Sequence, residues 1–174
     1  LRDIYAVPTT AGATTNTAYA VGNDGTVIRT TNGGSTWQTL NSSTAAQLNA
    51  IAFANTIDGV IVGNVGTTLK STSSGITLQL SGTNNHLNDV VYNSTAARYS
   101  AAGQNRTILQ STDGGTSYAT LGITGNTTET INGIADIGST VHILGSTGYI
   151  TKNTSGSWYV NYKMPYALAA MHIH

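Results

Sequence analysis

The chain has 174 residues, of which only 8% are charged, and its formal net charge at pH 7 is zero. Thr, Gly, Asn and Ser, with 30, 20, 16 and 15 residues, make up nearly half of it. So few charges argue against a helical bundle, whose solvent faces are built from Glu, Lys and Arg. A balance of seven basic and seven acidic residues argues against nucleic-acid binding, and 39% hydrophobic residues argue against disorder. The composition therefore predicts an all-β protein whose polar groups are mainly hydroxyls and amides.

A repeat of about 40 residues organises the chain. Each copy has a glycine that closes its second apolar strand, and these glycines are 41, 40 and 42 residues apart: Gly22, Gly63, Gly103 and Gly145. In the second copy we predict strands at 48–53, 59–63, 67–71 and 76–80. The predicted repeats are 1–47, 48–86, 87–130 and 131–167, followed by the first strand of another repeat at 168–174. Four antiparallel strands at this period are typical of a β-propeller blade.

An eight-residue segment lies downstream of each of these glycines, at the turn between the third and fourth strands, and in two repeats it matches the Asp-box pattern Ser-x-Asp-x-Gly-x-x-aromatic, whereas the second copy, at 71–78, is degenerate. The third copy, box 3, matches through Ser111, Asp113, Gly115 and Tyr118. The first copy, box 1, matches through Thr30, Asn32, Gly34 and Trp37, and the fourth keeps Asn153 and Trp158. An Asp or Asn side chain accepts hydrogen bonds from backbone N–H groups just after it, and Gly supplies a positive φ. We therefore interpret these segments as structural hairpin staples.

The order of these features resembles the repeats of the photosystem II assembly/stability factor family. It is similar, more loosely, to other Asp-box (bacterial neuraminidase repeat) β-propellers. The likeness is carried by Gly22, Gly25 and Thr30–Trp37, by Gly63, Gly66 and Leu69–Ser71, and by Gly103 and Ser111–Tyr118. It implies a β-propeller with four-stranded antiparallel blades. Because an open arc would expose apolar blade faces, we expect the remaining blades to come from the same longer polypeptide or, by a second route, from another copy of the chain.

Two enzymatic interpretations were weighed against the residues present. A xyloglucanase-like site needs a pair of carboxylates, and Asp3 and Asp89 occupy the same place near the start of the innermost strand in repeats one and three. They form a possible rim or channel site, although the equivalent residues are Ala50 and Gly133, which favours a hydrogen bond to the adjacent loop. A sialidase site needs an arginine cluster, and the four arginines are scattered: Arg2, Arg29, Arg98 and Arg106.

Metal and cofactor sites have little support in the sequence. His172 and His174 alternate on one face of the last predicted strand, but no carboxylate is placed beside them. Cysteine is absent, and the glycine pairs lie in strand-to-strand turns, where phosphate loops do not occur. No apolar run approaches the roughly 18 residues of a membrane span. We predict no metal, no cofactor and no membrane span.

The function predicted from these observations is that of a non-enzymatic exterior propeller. We expect a structural or receptor- or glycan-binding module on a virion, as a tail or fibre component, or in a secreted adhesin. Its partner would be a protein or glycan receptor, and its location extracellular or on the virion surface. Two alternatives stay open: a glycoside hydrolase with carboxylates partly outside this sequence, and an assembly-factor-like propeller that binds protein.

Overall fold

The computed structural model describes residues 1–7, 16–122, 128–147, 149–154 and 157–163, with side chains through residue 147. These residues form four sheets, which we call blades 1 to 4. Blade 1 consists of β1 (Asp3–Ala6), β2 (Ala18–Val21), β3 (Val27–Thr30) and β4 (Gln38–Leu40). Blade 2 consists of β5 (Leu48–Phe53), β6 (Gly59–Gly63), β7 (Thr68–Thr72) and β8 (Gly75–Gln79). Blade 3 consists of β9 (Leu87–Asn93), β10 (Arg98–Gly103), β11 (Ile108–Ser111) and β12 (Ala119–Thr120), and blade 4 of β13 (Ile131–Ile137), β14 (Thr140–Gly145), β15 (Tyr149–Thr154) and β16 (Ser157–Lys163).

Each blade is an antiparallel meander, because consecutive strands pair in sequence order. The prediction of an all-β fold with four-stranded antiparallel blades is confirmed, and the strands of blade 2 agree with the predicted ones to within one residue at each end. The predicted fifth-repeat strand at 168–174, with His172 and His174, lies outside the described residues.

The repeated glycine at the end of the second strand is explained by a close approach of two backbones. Gly63 lies against the strand that begins blade 2, and a Cβ there would overlap the carbonyl oxygen of Gln47. Gly103 is placed in the same way against the carbonyl oxygen of His86. The next N–H groups then donate to those carbonyls, from Asn64 and from Gln104, at 2.8 Å in both cases. A side chain would separate the strands and lengthen these bonds.

The hydrophobic core lies between successive blades. One buried cluster joins blades 1 and 2 and includes Val21, Phe53 and Leu69; a second joins blades 2 and 3, and a third joins blades 3 and 4. Burying one such side chain contributes about 1.5–3 kcal/mol. Because the first strand of each blade contacts the first strand of the next, this packing gathers β1, β5, β9 and β13 around a common axis.

Candidate functional site

The inner strands enclose an axial cavity of ≈ 400 Å³. All four blades contribute to its wall, with Asp3 and Tyr5 from β1, Asp89 and Tyr92 from β9, and Asp136 and Ile137 from β13 among the lining residues. The sequence-predicted pair, Asp3 and Asp89, therefore lines one cavity, together with Asp136, which the sequence analysis did not select and whose side chain is fully buried.

Asp3 and Asp89 each join one blade to the next. One Asp3 carboxylate oxygen accepts the N–H of Ile4 at 2.8 Å, and the other accepts the N–H of Ile51 in blade 2 at 2.9 Å. Asp89 repeats this arrangement with Val90 and, in blade 4, with Ile134, at 2.9 and 2.8 Å. The innermost strand is the edge of its sheet, so these N–H groups have no strand partner on that side.

This geometry explains why the Asp occurs in blades 1 and 3 but not at the same position of blades 2 and 4. One Asp serves its own blade and the following one, so the following blade can have Ala50 or Gly133 at the same position. The carboxylates bind the neighbouring inner strand rather than an adjacent loop.

Asp136 is the centre of a buried polar cluster between blades 3 and 4. Its fully buried carboxylate accepts two hydrogen bonds from the Arg98 guanidinium, at 2.7 and 2.6 Å, one from the Ser100 hydroxyl at 2.6 Å and one from the Asn93 amide at 2.8 Å. Burial raises the pKa of Asp136, but the hydrogen bonds from Arg98, Ser100 and Asn93 outweigh it, so the pKa lies below its usual value. The cluster is a charged clamp between two blades.

One end of the axis carries a polar depression of ≈ 460 Å³, which we call the axial mouth; it is lined by Leu1, Arg2, Asn49, Asn88 and Asn132. Arg2 and the three asparagines occupy the same position of their repeats. The Asn49 amide donates to the carbonyl of Leu87 at 2.8 Å, and the Asn88 amide donates to that of Ile131 at 2.9 Å, so these two asparagines also link their blades to the next. Blade 1 alone places a cation at this position among the described residues.

Boxes 1 and 3 share several internal hydrogen bonds, and they differ at the last residue bonded, where Asn32 donates to the Thr36 hydroxyl and Asp113 accepts from the Ser117 hydroxyl. In box 3 the Asp113 carboxylate accepts the N–H groups of Thr116 and Ser117, at 3.0 and 2.9 Å, and the Ser117 hydroxyl at 2.6 Å. These bonds, with the Ser117 hydroxyl the strongest influence, hold the pKa of Asp113 well below its usual range. In box 1 the side-chain oxygen of Asn32 accepts the N–H of Thr36 at 2.9 Å.

Further members of the boxes complete these turns. The N–H of Gly34 donates to Thr30 Oγ1 at 3.0 Å, and that of Gly115 donates to Ser111 Oγ at 2.8 Å. Both glycines have positive φ, +89° and +85°. In blade 4 the connection is tighter, since Asn153 in β15 is paired directly with Trp158 in β16.

The described arginines do not form a cluster. Arg98 binds Asp136 between blades 3 and 4, Arg106 lies 3.9 Å from Glu129, and Arg29 donates to Gln38 on the outer part of blade 1. Tyr5 is partly buried and Tyr99 is buried, and burial raises the pKa of both side chains. A nucleophilic tyrosine needs the opposite shift.

Metal ligands are not gathered in the part of the chain that the structure describes, where no group of three His, Cys, Asp or Glu side chains could hold an ion. His86 accepts the N–H of Val65 through Nδ1 at 2.8 Å. In the same described part, no helix is long and apolar enough to cross a membrane.

Sequence reasoning missed the axial mouth and the Asp136 clamp for different reasons. The mouth had a signal, because Arg2 replaces the asparagine found at the second position of the next three repeats. No sequence pattern indicated the clamp, because Asp136 and Arg98 lie 38 residues apart and at different positions of their repeats.

Comparison with known proteins identifies the architecture. No protein-family model and no curated protein sequence matches the chain. Among solved structures, YCF48 bound to a D1 peptide is 17% identical and superposes with a TM-score of 0.63 over 90% of this chain and 55% of that one. YCF48 from Cyanidioschyzon merolae is 17% identical, with a TM-score of 0.67 over 89% and 55% of the two chains. An ancestral GH74 enzyme is 16% identical, with a TM-score of 0.69 over 90% and 25%.

The chain thus spans about half the length of the YCF48 structures that it matches. At this level of identity the likeness supports the fold and leaves the activity open. Four-stranded blades around an axis, together with these superpositions, confirm that the chain forms β-propeller blades similar to those of YCF48 and of GH74 enzymes.

Proposed function

We propose that this chain is part of a non-enzymatic β-propeller that binds a protein or glycan receptor on an exterior surface. The observation that supports binding over catalysis is that four of its seven acidic side chains are hydrogen-bonded within the fold. Asp3 and Asp89 hold inner strands, Asp113 holds a hairpin, and Asp136 is paired with Arg98. A glycosidase needs one carboxyl to donate a proton and another to act as base or nucleophile, and carboxylates committed to backbone N–H groups are poorly suited to both roles.

The axial mouth is the surface that we propose for the ligand. The NH2 groups of Asn49 and Asn88 hold the neighbouring blades, but each side-chain oxygen keeps a lone pair that can accept a hydrogen bond from a sugar hydroxyl or a peptide N–H. The Arg2 guanidinium adds a fixed positive charge with the planar geometry that binds carboxylates. Depressions at the end of a ring of strands are common positions for ligand sites.

A protein ligand is the second form of this proposal, and the specific observation in its favour is the similarity to YCF48 bound to a D1 peptide. An assembly-factor-like propeller would use the same mouth for a peptide segment of its partner. A virion tail or fibre component, or a secreted adhesin, would use it for a receptor.

The binding proposal is tested on the full-length protein with an array of defined oligosaccharides and synthetic peptides. Any ligand retained by the wild type is titrated against the R2A variant as well, and we expect its affinity to fall roughly 10- to 150-fold, as for the loss of a charge-assisted hydrogen bond. R29A is the matched control, because Arg29 carries the same charge but binds Gln38 on the outer part of the blade. Equal affinity of R2A and wild type would reject the mouth as the site.

The hydrolase alternative is tested with the same oligosaccharides. Turnover by the wild type that disappears in D3N and D89N, with both variants folded, would replace the binding proposal by catalysis. We expect no turnover by any of the three proteins.

An exterior location is part of the proposal and is supported by the composition of the chain, which is rich in hydroxyls and amides and poor in charge. Quantitative mass spectrometry of the source culture tests it. The protein should be enriched in purified virions or in the cell-free medium, and enrichment in the washed cell fraction would contradict an exterior location.

A further inference from the structure

The outer strand of blade 2 is longer than the outer strands of blades 1 and 3. In those two blades an Asp box fills the turn before the outer strand, and β4 and β12 have only three and two residues. In blade 2 the box is degenerate, and Ser73 and Ser74 close a short turn between the paired residues Thr72 and Gly75. The outer strand β8 therefore begins directly after this turn and has five residues.

One face of β8 is apolar and reaches into solvent. Ile76 is partly buried against the core cluster between blades 1 and 2, but Leu78 is 55% exposed and Leu80, directly after the strand, is 90% exposed. These three residues, which we call the apolar edge, alternate with Thr77 and Gln79 on the opposite face. Contiguous exposed apolar side chains of this kind indicate an interface.

The backbone groups of the apolar edge point away from blade 2. Thr68 of β7 lies opposite Gln79 of β8, and its hydroxyl donates to the Gln79 carbonyl at 3.1 Å, so this carbonyl faces β7. In an antiparallel strand the N–H and C=O groups of successive residues point to alternate sides. Those of the three apolar residues are therefore directed outwards, where they can pair with another strand.

The usual protection against strand pairing is missing at this edge. Exposed edge strands are commonly kept short, interrupted by a bulge, or provided with Lys or Pro. Residues 71–85 contain no charged residue and no Pro, and the pairing of β7 with β8 has no register shift. The edge is also self-complementary, because reading outwards from Leu78 gives Thr77 and Ile76 in one direction and Gln79 and Leu80 in the other.

We propose that the apolar edge pairs with the same edge of a second copy of the chain, in an antiparallel arrangement about a two-fold axis at Leu78. Leu78 lies opposite Leu78 of the other copy and Ile76 lies opposite Leu80, so that the outward N–H and C=O groups of the two copies bond one another. Thr77 lies opposite Gln79 on the other face. Because both copies use the same surface, the contact closes as a dimer.

A second copy is favoured over an unrelated peptide by the symmetry of the segment. An unrelated extended peptide requires only that one face of β8 is apolar. A match between residues 76–80 and the same residues in reverse order, apolar with apolar and polar with polar, is required only by self-pairing. The lack of charge has the same consequence, since two identical charged edges would place like charges opposite each other.

The proposal is tested by sedimentation equilibrium of the full-length protein from about 5 to 500 μM. A strand pair of this length buries less than the roughly 1,200 Å² of a stable interface, so we expect the dimer fraction to rise across this range. L78K places two ammonium groups opposite each other at the axis and should weaken self-association about tenfold or more. T39K is the matched control, because it adds the same charge at an exposed position of the outer strand of blade 1, and it should associate as the wild type does.

Disulfide trapping tests the register, in a background without other cysteines and with oxidised glutathione as the oxidant. Opposite residues of a hydrogen-bonded antiparallel pair have their Cα atoms about 5.5 Å apart, which suits a disulfide. L78C should therefore form a covalent dimer. The two Leu80 residues would be four positions out of register, about 14 Å apart along the strands, so L80C should not form one.

Three results would overturn the proposal. The first is a wild type that stays monomeric at about 500 μM, which would leave the edge to an extended peptide of another protein. The second is a dimer of wild-type strength in L78K. The third is equally rapid linking of L78C and L80C, which would indicate random collision rather than a defined register.

Discussion

The Asp136 clamp allows the sharpest test of how the blades are held together. In D136N an amide replaces a carboxylate whose side chain is fully buried and which is surrounded by the donors of Arg98, Ser100 and Asn93. Removing one partner of a buried ion pair typically costs about 3–5 kcal/mol, because the remaining charge is left uncompensated. Arg98 retains 19% exposure and can recover some hydration, so we expect a loss near the lower end, about 3 kcal/mol.

Urea unfolding at pH 7 measures this loss. With an m-value of about 2 kcal/mol/M, a loss of 3 kcal/mol lowers the midpoint by about 1.5 M. A double variant, R98M with D136L, removes both charges, and we expect it to be more stable than D136N because no charge stays buried without a partner. A midpoint for D136N within about 0.25 M of the wild type, which is about 0.5 kcal/mol, would refute the clamp.

The pH dependence of the same difference gives a second check. Since the pKa of Asp136 in the fold is lowered, its contribution is fully present above the unfolded value of about 3.9 and is lost as the pH falls through the folded pKa. The gap between wild type and D136N should therefore be constant from pH 5 to 7 and shrink towards pH 2. A gap that widens on acidification would contradict this sign.

Three further variants test other parts of the framework through their urea midpoints. D89A leaves two inner-strand N–H groups without their acceptor and should destabilise the protein by about 2 kcal/mol; an unchanged midpoint would refute the edge-strand role. G103A places a Cβ against the carbonyl of His86 and should cost about 1–3 kcal/mol despite its extended backbone, whereas wild-type stability would show that the strands can separate freely. L69A removes a fully buried side chain and should cost about 2–5 kcal/mol, whereas L78A, at a 55% exposed position, should stay within about 0.5 kcal/mol; equal effects would contradict the core assignment.

Local features of the fold were predictable because the forces behind them act over a few residues. The strands of blade 2 follow from alternating apolar residues between turn residues, and the box geometry follows from side chains that reach only to the fourth residue onward, as Asn32 does to Thr36. The repeat then placed Asp3 and Asp89 at equivalent positions without any knowledge of their partners.

The partners themselves could not be read from the sequence. Asp3 binds the N–H of Ile51, 48 residues away, because the inner strand of blade 2 leaves its edge open towards blade 1. Trp37 and Tyr118 both end a box, but Trp37 is exposed and Tyr118 is partly buried, since only box 3 has a described blade in front of it. Such differences depend on which blade lies beside which, and equivalent residues of a repeat carry no record of that.

The sequence by itself thus determined the repeat length, the four-stranded blades and the turn glycines, because composition, periodicity and turn chemistry are local properties. Only the tertiary structure decided that two carboxylates tie inner strands together, that Asp136 and Arg98 form a buried pair, and that Arg2 joins three asparagines at one end of the axis. The physical reason is that these contacts form between blades, where the packing of apolar faces decides which polar groups come together. Because the groups are then buried, they must form hydrogen bonds with one another.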